Sequence, residues 1–214
     1  KKTSESELGE RPLVEISNLN VFFKNKSQAK EQIIRAVDGI SLEINRGEIM
    51  GVVGESGSGK STLGRSILRL LPIQSGEIIF SGVNLATLLP KELREFRKKM
   101  QMIFQDPYAS LNPRMTVYET LAEPLIFHRV TNKKNIKSRV TSLMDEVGLP
   151  KTSMHKYPHE FSGGQRQRIA VGRAIGIKPE FIIADEPVSA LDVTIQSQIL
   201  ELIVGLVERY SITM

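Results

Sequence analysis

The fold class of this chain is predicted from the segment Gly54-Glu55-Ser56-Gly57-Ser58-Gly59-Lys60-Ser61. It matches the pattern G-x-x-x-x-G-K-[ST], which forms a phosphate-binding loop when it joins a strand to a helix. That context is predicted here, because the apolar run 48–53 precedes the pattern and apolar residues at helical spacing follow it until Pro72. Strand, glycine-rich loop and helix in this order indicate the opening of a parallel α/β unit.

The residue types of this loop suit the binding of a nucleotide. Glycines let the backbone wrap a phosphate with its N–H groups turned inward, and the following helix directs its positive end at the same anion. Lys60 would reach the β- and γ-phosphates, and the Ser61 hydroxyl would hold Mg²⁺. The alternative is an ordinary glycine-rich turn, but a chance match in a chain of this length is on the order of 1%. The sequence therefore predicts a nucleotide site.

Two carboxylates follow a second apolar run. Asp185 and Glu186 come directly after the predicted buried strand 181–184, and ligands bind at the carboxyl ends of strands in open parallel sheets. Asp185 suits the ordering of the water shell of Mg²⁺, and Glu186 suits the orientation or deprotonation of an attacking water. A solvated strand end followed by a turn at Pro187 is the alternative, which the phosphate-binding loop upstream disfavours.

A third motif is Phe161-Ser162-Gly163-Gly164-Gln165. Ser162 and Gln165 have the spacing of a capping box, so a helix is predicted to begin here and to continue over 165–177. Gly163 and Gly164 would leave the start of that helix open to an anion. In isolation an ordinary capped helix explains the motif equally well.

Taken together, the three motifs resemble those of ABC-family ATPases, whose signature sequence usually starts with leucine where Phe161 stands. The resemblance extends over nearly the whole chain from Leu13. It implies an α/β fold: an ABC-type P-loop NTPase core with an antiparallel β subdomain and a helical subdomain at about 107–170. We therefore expect a polar tail at 1–12 and a nucleotide-binding domain at 13–214 that is truncated at its C-terminal end.

The resemblance also implies ATP and Mg²⁺ as cofactors and assigns site residues. Catalytic roles fall to Glu186, Lys60 and Gln105, and metal binding falls to Ser61, Gln105 and Asp185. The residues expected to contact ATP are Phe23, Gly54, Glu55, Ser56, Gly57, Ser58, Gly59, Lys60, Ser61, Thr62, Ser162, Gly163, Gly164, Gln165 and Asp192. Phe23 is expected to lie against the adenine, although the adjacent Phe22 is an alternative and either ring could fill a core.

A finer likeness concerns the segments 105–114 and 157–161, which resemble the ATPase subunits of oligopeptide, dipeptide and nickel importers. Within that group, the dipeptide Pro107-Tyr108 resembles the form of this segment in the second of the two paired ATPase subunits. The expected partners are a second ABC ATPase subunit, identical or not, membrane permease subunits and indirectly a solute-binding protein, with no nucleic acid. The expected location is cytoplasmic and peripheral, on the inner face of the cell membrane.

Two other function classes remain open. One is an ABC ATPase of DNA repair, chromosome structure or translation, which the lack of long insertions between Lys60 and Asp185 and the single cassette disfavour. The other is an ATP-binding module without turnover. The family's switch histidine follows the next core strand, and this chain is expected to end a few residues short of it. None of His128, His155 and His159 is expected to replace it.

Composition sets the outer limits of these interpretations. The chain has 214 residues, 40% of them apolar, and a net charge of +5. Without cysteine, these residues cannot provide a disulfide, a thiol nucleophile or a cysteine-based metal site. The apolar runs are too short for a membrane span, and no signal peptide is evident. The basic clusters 97–99 and 133–134 could be solvated faces, partner contacts or nucleic-acid-binding surfaces. Nucleic-acid-binding surfaces are disfavoured because no aromatic residues are interleaved with the basic ones.

Overall fold

The computed structural model describes residues 11–25 and 32–214, which form two compact units. The first unit extends to Phe96 and includes Thr213, and the second comprises Arg97–Ile212 and Met214. Most of the polar tail predicted at 1–12 lies outside the described residues. The division into a helical subdomain at 107–170 stays a prediction.

The first unit contains the expected antiparallel sheet. Its strands are β1 (Val14–Asn25), β2 (Gln32–Ile44), β3 (Ser75–Phe80) and β4 (Val83–Asn84), in the order β2-β1-β3-β4. Every pair is antiparallel. Two helices accompany the sheet, α1 (Lys60–Ile67) and α2 (Pro90–Arg97). The apolar core of this unit includes Leu13, Val14, Ile16, Leu19, Val21, Val37, Ile44, Ile67, Leu68, Ile78, Phe80 and Leu85.

The pairing of β1 with β2 is interrupted by a β-bulge. Val21 lies opposite Val37, whereas the next residue of β1, Phe22, lies opposite Arg35. Ala36 is therefore the extra residue of β2. A bulge turns the local backbone groups away from the regular ladder, and the carbonyl of Ala36 becomes part of the environment of the phosphate-binding loop described below.

The prediction of a strand over 48–53 is wrong. These residues have no strand assignment, and their side chains are largely exposed, with Val53 at 93%. A strand requires a neighbour that exchanges backbone hydrogen bonds with it. Among residues 11–25 and 32–214 no strand pairs with this segment, so its apolar character alone does not make it a strand.

The second unit consists mainly of helices. It contains a parallel pair of strands, β5 (Met100–Ile103) and β6 (Phe181–Ala184), and β6 confirms the strand predicted over 181–184. Its helices are α3 (Pro107–Ser110), α4 (Val117–Phe127), α5 (Ile136–Glu146), α6 (Gly163–Ile175) and α7 (Val193–Tyr210). Short 3-10 turns lie at Lys133–Asn135, Lys151–Ser153 and Pro158–Glu160.

A single apolar cluster joins the helices and strands of the second unit. It takes side chains from β5, β6 and α4 to α7, and Leu121, Val140, Ile169 and Ile182 are among its fully buried members. Burial of such side chains stabilises a fold by about 1.5–3 kcal/mol each. In the part of the chain that the structure describes, no helix is both long and apolar enough to span a membrane.

A polar cluster lies between the C-terminal ends of α5 and α7. The carboxylate of Glu146 accepts hydrogen bonds from Arg139 (2.8 Å), Ser142 (2.9 Å) and the hydroxyl of Tyr210 (2.7 Å). Burial alone would raise the pKa of Glu146, but these hydrogen bonds and the charge of Arg139 together lower it. Burial and the contact with Glu146 raise the pKa of Tyr210.

Candidate functional site

The phosphate-binding loop of the first unit depends on glycine at a left-handed backbone position. Gly59, directly before α1, has a φ of 97°. A Cβ added to Gly59 would collide with the carbonyl oxygen of Ala36, the bulged residue of β2. Both the backbone angle and the close approach therefore exclude a side chain. Gly57, with a φ of 79°, has a similar angle but open space around it.

Lys60 folds back over this loop. Its ammonium group donates hydrogen bonds of 2.9 Å each to the carbonyl oxygens of Gly54 and Glu55. The lysine is thereby held above the same backbone that is predicted to receive a phosphate. Ser61 is the second residue of α1, where the positive end of the helix dipole lies.

The adjacent rings of Phe22 and Phe23 have different surroundings. The guanidinium of Arg35 lies 5.3 Å from the centre of the Phe22 ring and covers it. Phe23 is 40% exposed and lies opposite the exposed Ile34 on the neighbouring strand. Of the two rings, Phe23 is the one that offers an open face to a ligand. Its contact with adenine stays a prediction.

In the second unit, two chain segments bring together two of the predicted catalytic residues, Gln105 and Glu186. The amide of Gln105, which follows β5, donates hydrogen bonds to the carboxylate of Glu186 (3.0 Å) and the hydroxyl of Ser189 (3.3 Å). Asp185 lies at the end of β6 and is buried, with 6% of its surface exposed, whereas Glu186 is exposed. The two adjacent carboxylates therefore have different environments.

The backbone of Glu186 is strained. Its φ of 44° lies in the left-handed region, which costs a residue with a side chain about 1–3 kcal/mol. The turn that follows is held by Ser189, whose N–H and hydroxyl both donate to the carbonyl oxygen of Glu186 at 3.2 Å. Strained residues of this kind cluster at functional sites, so the geometry favours a role for Glu186 beyond packing.

The predicted capping box at the start of α6 is confirmed. The hydroxyl of Ser162 accepts a hydrogen bond from the N–H of Gln165 (3.3 Å), and the N–H of Ser162 donates to the Gln165 side chain (3.1 Å). The helix covers 163–175 rather than the predicted 165–177.

The glycines of this turn also have a packing role that sequence reasoning missed. A Cβ added to Gly163 would lie 3.1 Å from Leu191, and one added to Gly164 would lie 2.6 Å from Ile195. These two glycines therefore let the start of α6 pack closely against the segment that contains Asp192. The sequence pattern showed only that they leave the turn open.

Sequence reasoning also missed a contact between α3 and α6. The guanidinium carbon of Arg166 lies 4.1 Å from the centre of the Tyr108 ring. The position of Arg166 near the start of a helix could have indicated such a contact. The helix dipole disfavours a cation there unless another group stabilises it.

The predicted site residues thus divide between the two units. Phe23 and the residues of 54–62 belong to the first unit, and Gln105, Asp185, Glu186, Asp192 and the turn 162–165 belong to the second. Two of the three histidines lie beside aromatic rings: His128 contacts Phe127 edge-on with ring centres 4.9 Å apart, and His159 stacks on Tyr157 at 5.8 Å. Within residues 11–25 and 32–214 no group of three histidine or acidic residues is arranged to hold a metal ion.

The chain is similar in sequence to a known protein family and to individual relatives. The family described as "ABC transporter" matches residues 37–189, well over half of the chain. The oligopeptide transport ATP-binding protein OppF of Streptococcus mutans is 51% identical over 95% of this chain and 65% of its own length. OppF of Bacillus subtilis is 54% identical over 84% of this chain and 60% of its own length. The chain thus spans less than two thirds of these relatives.

Solved structures with the same fold include the ATP-binding cassette MJ0796, in a dimeric post-hydrolysis state bound to ADP and Pi. It matches with a TM-score of 0.78 and 31% identity, over 88% of this chain and 80% of that chain. CbiO1 from Clostridium perfringens, part of the ABC transporter complex cbiONQ, matches with a TM-score of 0.78 and 28% identity, over 95% of this chain and 76% of that chain. The chain belongs to the ABC transporter family.

Proposed function

We propose that this chain is the ATP-binding and ATP-hydrolysing part of a subunit that powers the import of peptides or a related small solute. The observation that carries the proposal is the loop 54–61, in which left-handed glycines, Lys60 and the start of α1 meet. The names of the OppF relatives, which are oligopeptide transport ATP-binding proteins, support the solute class.

In the first unit, backbone N–H groups of the loop 54–59 would hold the phosphates of ATP, and Lys60 would exchange its carbonyl partners for phosphate oxygens. Thr62 would add to the phosphate contacts, and the open face of Phe23 would stack on the adenine.

Magnesium, when bound, would neutralise phosphate charge. The residues proposed to hold it are Ser61, Asp185 and Gln105, whose hydroxyl, carboxylate and amide oxygens are of the kind that Mg²⁺ prefers. The amide nitrogen of Gln105 is engaged by Glu186 and Ser189, so its oxygen is the atom suited to this role.

In the second unit, Glu186 would act as the general base. Its carboxylate would take a proton from the water that attacks the γ-phosphate, and Gln105 would fix the direction of that carboxylate. Charge stabilisation by Lys60 would supply much of the remaining rate enhancement.

We further propose that two subunits pair head to tail. The turn 162–165 of one subunit would then donate to the γ-phosphate held by the loop of the other, and Asp192 would contact the opposite subunit. MJ0796 is a dimer in two solved structures, which supports the pairing of two subunits. ATP would hold the pair together and hydrolysis would release it.

The other proposed partners lie at the membrane. Permease subunits would receive the movement near Gln105, and a solute-binding protein would deliver the peptide to them. This subunit would accordingly lie in the cytoplasm at the inner face of the cell membrane. We propose no nucleic-acid partner for it.

The test is Glu186→Gln in the full-length protein with its partner subunits. We expect ATP binding to persist, hydrolysis to fall by about 100-fold or more, and an ATP-dependent dimer to accumulate on size-exclusion chromatography. Glu201→Gln, an exposed carboxylate on α7, is the matched control and should hydrolyse ATP normally. Undiminished hydrolysis by Glu186→Gln would remove Glu186 from the role of base.

The solute class requires a separate measurement. Proteoliposomes that contain the permease, this subunit and its partner ATPase, with the solute-binding protein supplied on the opposite side, should take up a labelled oligopeptide only when ATP is supplied on the side of the ATPase. Hydrolysis without uptake of any peptide would support an ABC ATPase of another class, and binding without hydrolysis would support a module that only holds ATP.

A further inference from the structure

Helix α3 is too short to hold its own position. It has four residues, Pro107–Ser110, and a helix of this length is unstable by itself because few residues share the cost of its nucleation. The carboxylate of Asp106 caps it by accepting hydrogen bonds from the N–H groups of Tyr108 (2.7 Å) and Ala109 (3.3 Å). This cap fixes the start of the helix but not its place in the unit.

Two arginines of α6 fix that place. Arg173 donates a hydrogen bond of 2.6 Å to the carbonyl oxygen of Ser110, and the guanidinium of Arg166 lies over the Tyr108 ring at 4.1 Å. The two arginines are seven residues apart, so they lie on the same face of α6. One secures the last residue of α3 and the other secures its exposed ring.

Packing does not account for the contact of Arg166 with Tyr108. The Tyr108 side chain is 59% exposed and adds little to the apolar core. The guanidinium of Arg166 is held in place by a hydrogen bond of 3.0 Å from its Nε to the carbonyl oxygen of Phe161. The guanidinium is thus held by the backbone while its Cζ lies over the Tyr108 ring, within the distance at which a cation–π contact is favourable.

The two ends of this contact adjoin different parts of the site. On one side, Gln105 precedes α3 by two positions and hydrogen-bonds to Glu186. On the other side, Arg166 follows the capping box of Ser162 and Gln165 directly. A displacement of the turn 162–165 would therefore reach Gln105 through one aromatic contact and one short helix.

We propose that Arg166 and Tyr108 are positioning residues that tie Gln105 and Glu186 to the turn at 162–165. This inference rests on the proposed function. In that setting, a γ-phosphate bound at 162–165 belongs to the nucleotide of the opposite subunit. The contact then makes the orientation of Glu186 in one nucleotide site depend on occupancy of the other, and hydrolysis becomes cooperative in ATP.

The experiment compares Tyr108→Leu with Tyr108→Phe in the full-length protein with its partner subunits. Tyr108→Phe keeps the ring and is the matched control, so its kcat should stay within about twofold of the unsubstituted protein. Tyr108→Leu removes the ring, and kcat should fall about 3- to 10-fold, the loss expected for a cation–π contact. KM should stay within about twofold, and the Hill coefficient for ATP should fall towards 1.

A second readout does not depend on hydrolysis. Amide hydrogen exchange over 106–111 should be faster in Tyr108→Leu than in Tyr108→Phe, while exchange in the middle of α6 stays the same. In a double-mutant cycle, the loss of kcat in the double variant of Tyr108→Leu and Arg166→Met should be smaller than the sum of the two single losses, because both changes remove the same ring contact. Arg166→Met also removes the hydrogen bond to Phe161, so its single loss should be the larger one.

The inference would be overturned if Tyr108→Leu kept the kcat and the amide exchange of the unsubstituted protein, or if Tyr108→Phe lost as much kcat as Tyr108→Leu. Fully additive losses of kcat in the double-mutant cycle would also overturn it. So would a fall in the thermal stability of Tyr108→Leu that accounts for its loss of kcat. If the unsubstituted protein neither binds nor hydrolyses ATP, the proposed function fails. The exchange measurement then still decides whether Tyr108 and Arg166 position the segment that carries Gln105.

Discussion

The phosphate-binding loop of the first unit and the Gln105 and Glu186 region of the second unit are organised in different ways. The loop is exposed, and its described contacts are with its own carbonyls and with the bulge at Ala36. Glu186 and Gln105 come from segments 81 positions apart, and the helices around them share one buried cluster.

The two regions therefore encode their functions at different sequence distances. The loop is specified by a few consecutive residues, so a single local change should abolish ligand binding and leave the fold intact. The second region is specified by contacts between distant segments, so changes there should alter stability and geometry together. The following predictions test this division, beginning with the largest effect.

Replacement of Lys60 by alanine should have the largest effect on ligand binding. Loss of its charged hydrogen bonds to phosphate costs about 3 kcal/mol, which corresponds to about 100-fold in the Kd for ATP. Isothermal titration calorimetry measures this loss, and the thermal midpoint without ATP should change by no more than about 2 °C. Lys91→Ala, an exposed lysine of α2, is the control and should bind ATP normally. Retained affinity in Lys60→Ala would contradict the assignment of the loop.

Gly59→Ala should weaken ATP binding by about 10- to 100-fold, since a methyl group at a φ of 97° would press on the carbonyl of Ala36. Gly47→Ala is the matched control. Gly47 also has a positive φ, 73°, but nothing lies within 4 Å of the added carbon. The control should lose only about 1 kcal/mol of stability and keep its ATP affinity. Equal loss of affinity in both variants would show that the bulge at Ala36 does not support the loop.

In the second unit, Tyr210→Phe should lower the free energy of unfolding by about 1–2 kcal/mol, because it removes a hydrogen bond to the charged Glu146. ATP affinity should not change, in contrast to the two loop variants. Urea denaturation followed by circular dichroism measures the stability, and calorimetry measures the affinity. An unchanged denaturation midpoint would mean that the cluster at Glu146 does not stabilise this unit.

The smallest effect concerns the pH dependence of the same cluster. The pKa of Glu146 is lower in the folded protein than its ordinary value of 4.5. Its contribution to stability is therefore complete above pH 4.5 and is lost as the pH falls through the lowered pKa. The raised pKa of Tyr210, from 10.0, gives the opposite case: its contribution is lost as the pH rises through the raised value.

Denaturation of Glu146→Gln at a series of acidic pH values checks the first of these statements. The difference in stability between this variant and the unsubstituted protein should shrink as the pH falls below 4.5. A difference that stays constant with pH would show that Glu146 is not preferentially ionised in the folded chain.

The sequence predicted the features that depend on consecutive residues. The helix that follows the glycine-rich loop, the capping box at Ser162 and the strand 181–184 all follow from local patterns, and each is present. The apolar run 48–53 was predicted as a strand on the same grounds. It is not one, because a strand depends on a partner that the local pattern cannot reveal.

The contacts of the second region were harder to predict. Tyr108 and Arg166 are 58 positions apart, and neither side chain alone indicates the other. The packing of Gly164 against Ile195 is equally invisible in the sequence, since it depends on how closely two helices approach. The closeness of Gln105 and Glu186 followed only from the family resemblance.

The position of Lys60 has a consequence for which nucleotides can enter the loop. Its ammonium group already has two carbonyl acceptors, Gly54 and Glu55, so each incoming ligand competes with the protein's own backbone. A β-phosphate with its full negative charge can displace them, whereas a neutral nucleoside has nothing to offer the lysine. The loop thereby disfavours nucleosides, and adenosine, which would keep only the contact with Phe23, should inhibit ATP binding about 100-fold more weakly than ADP.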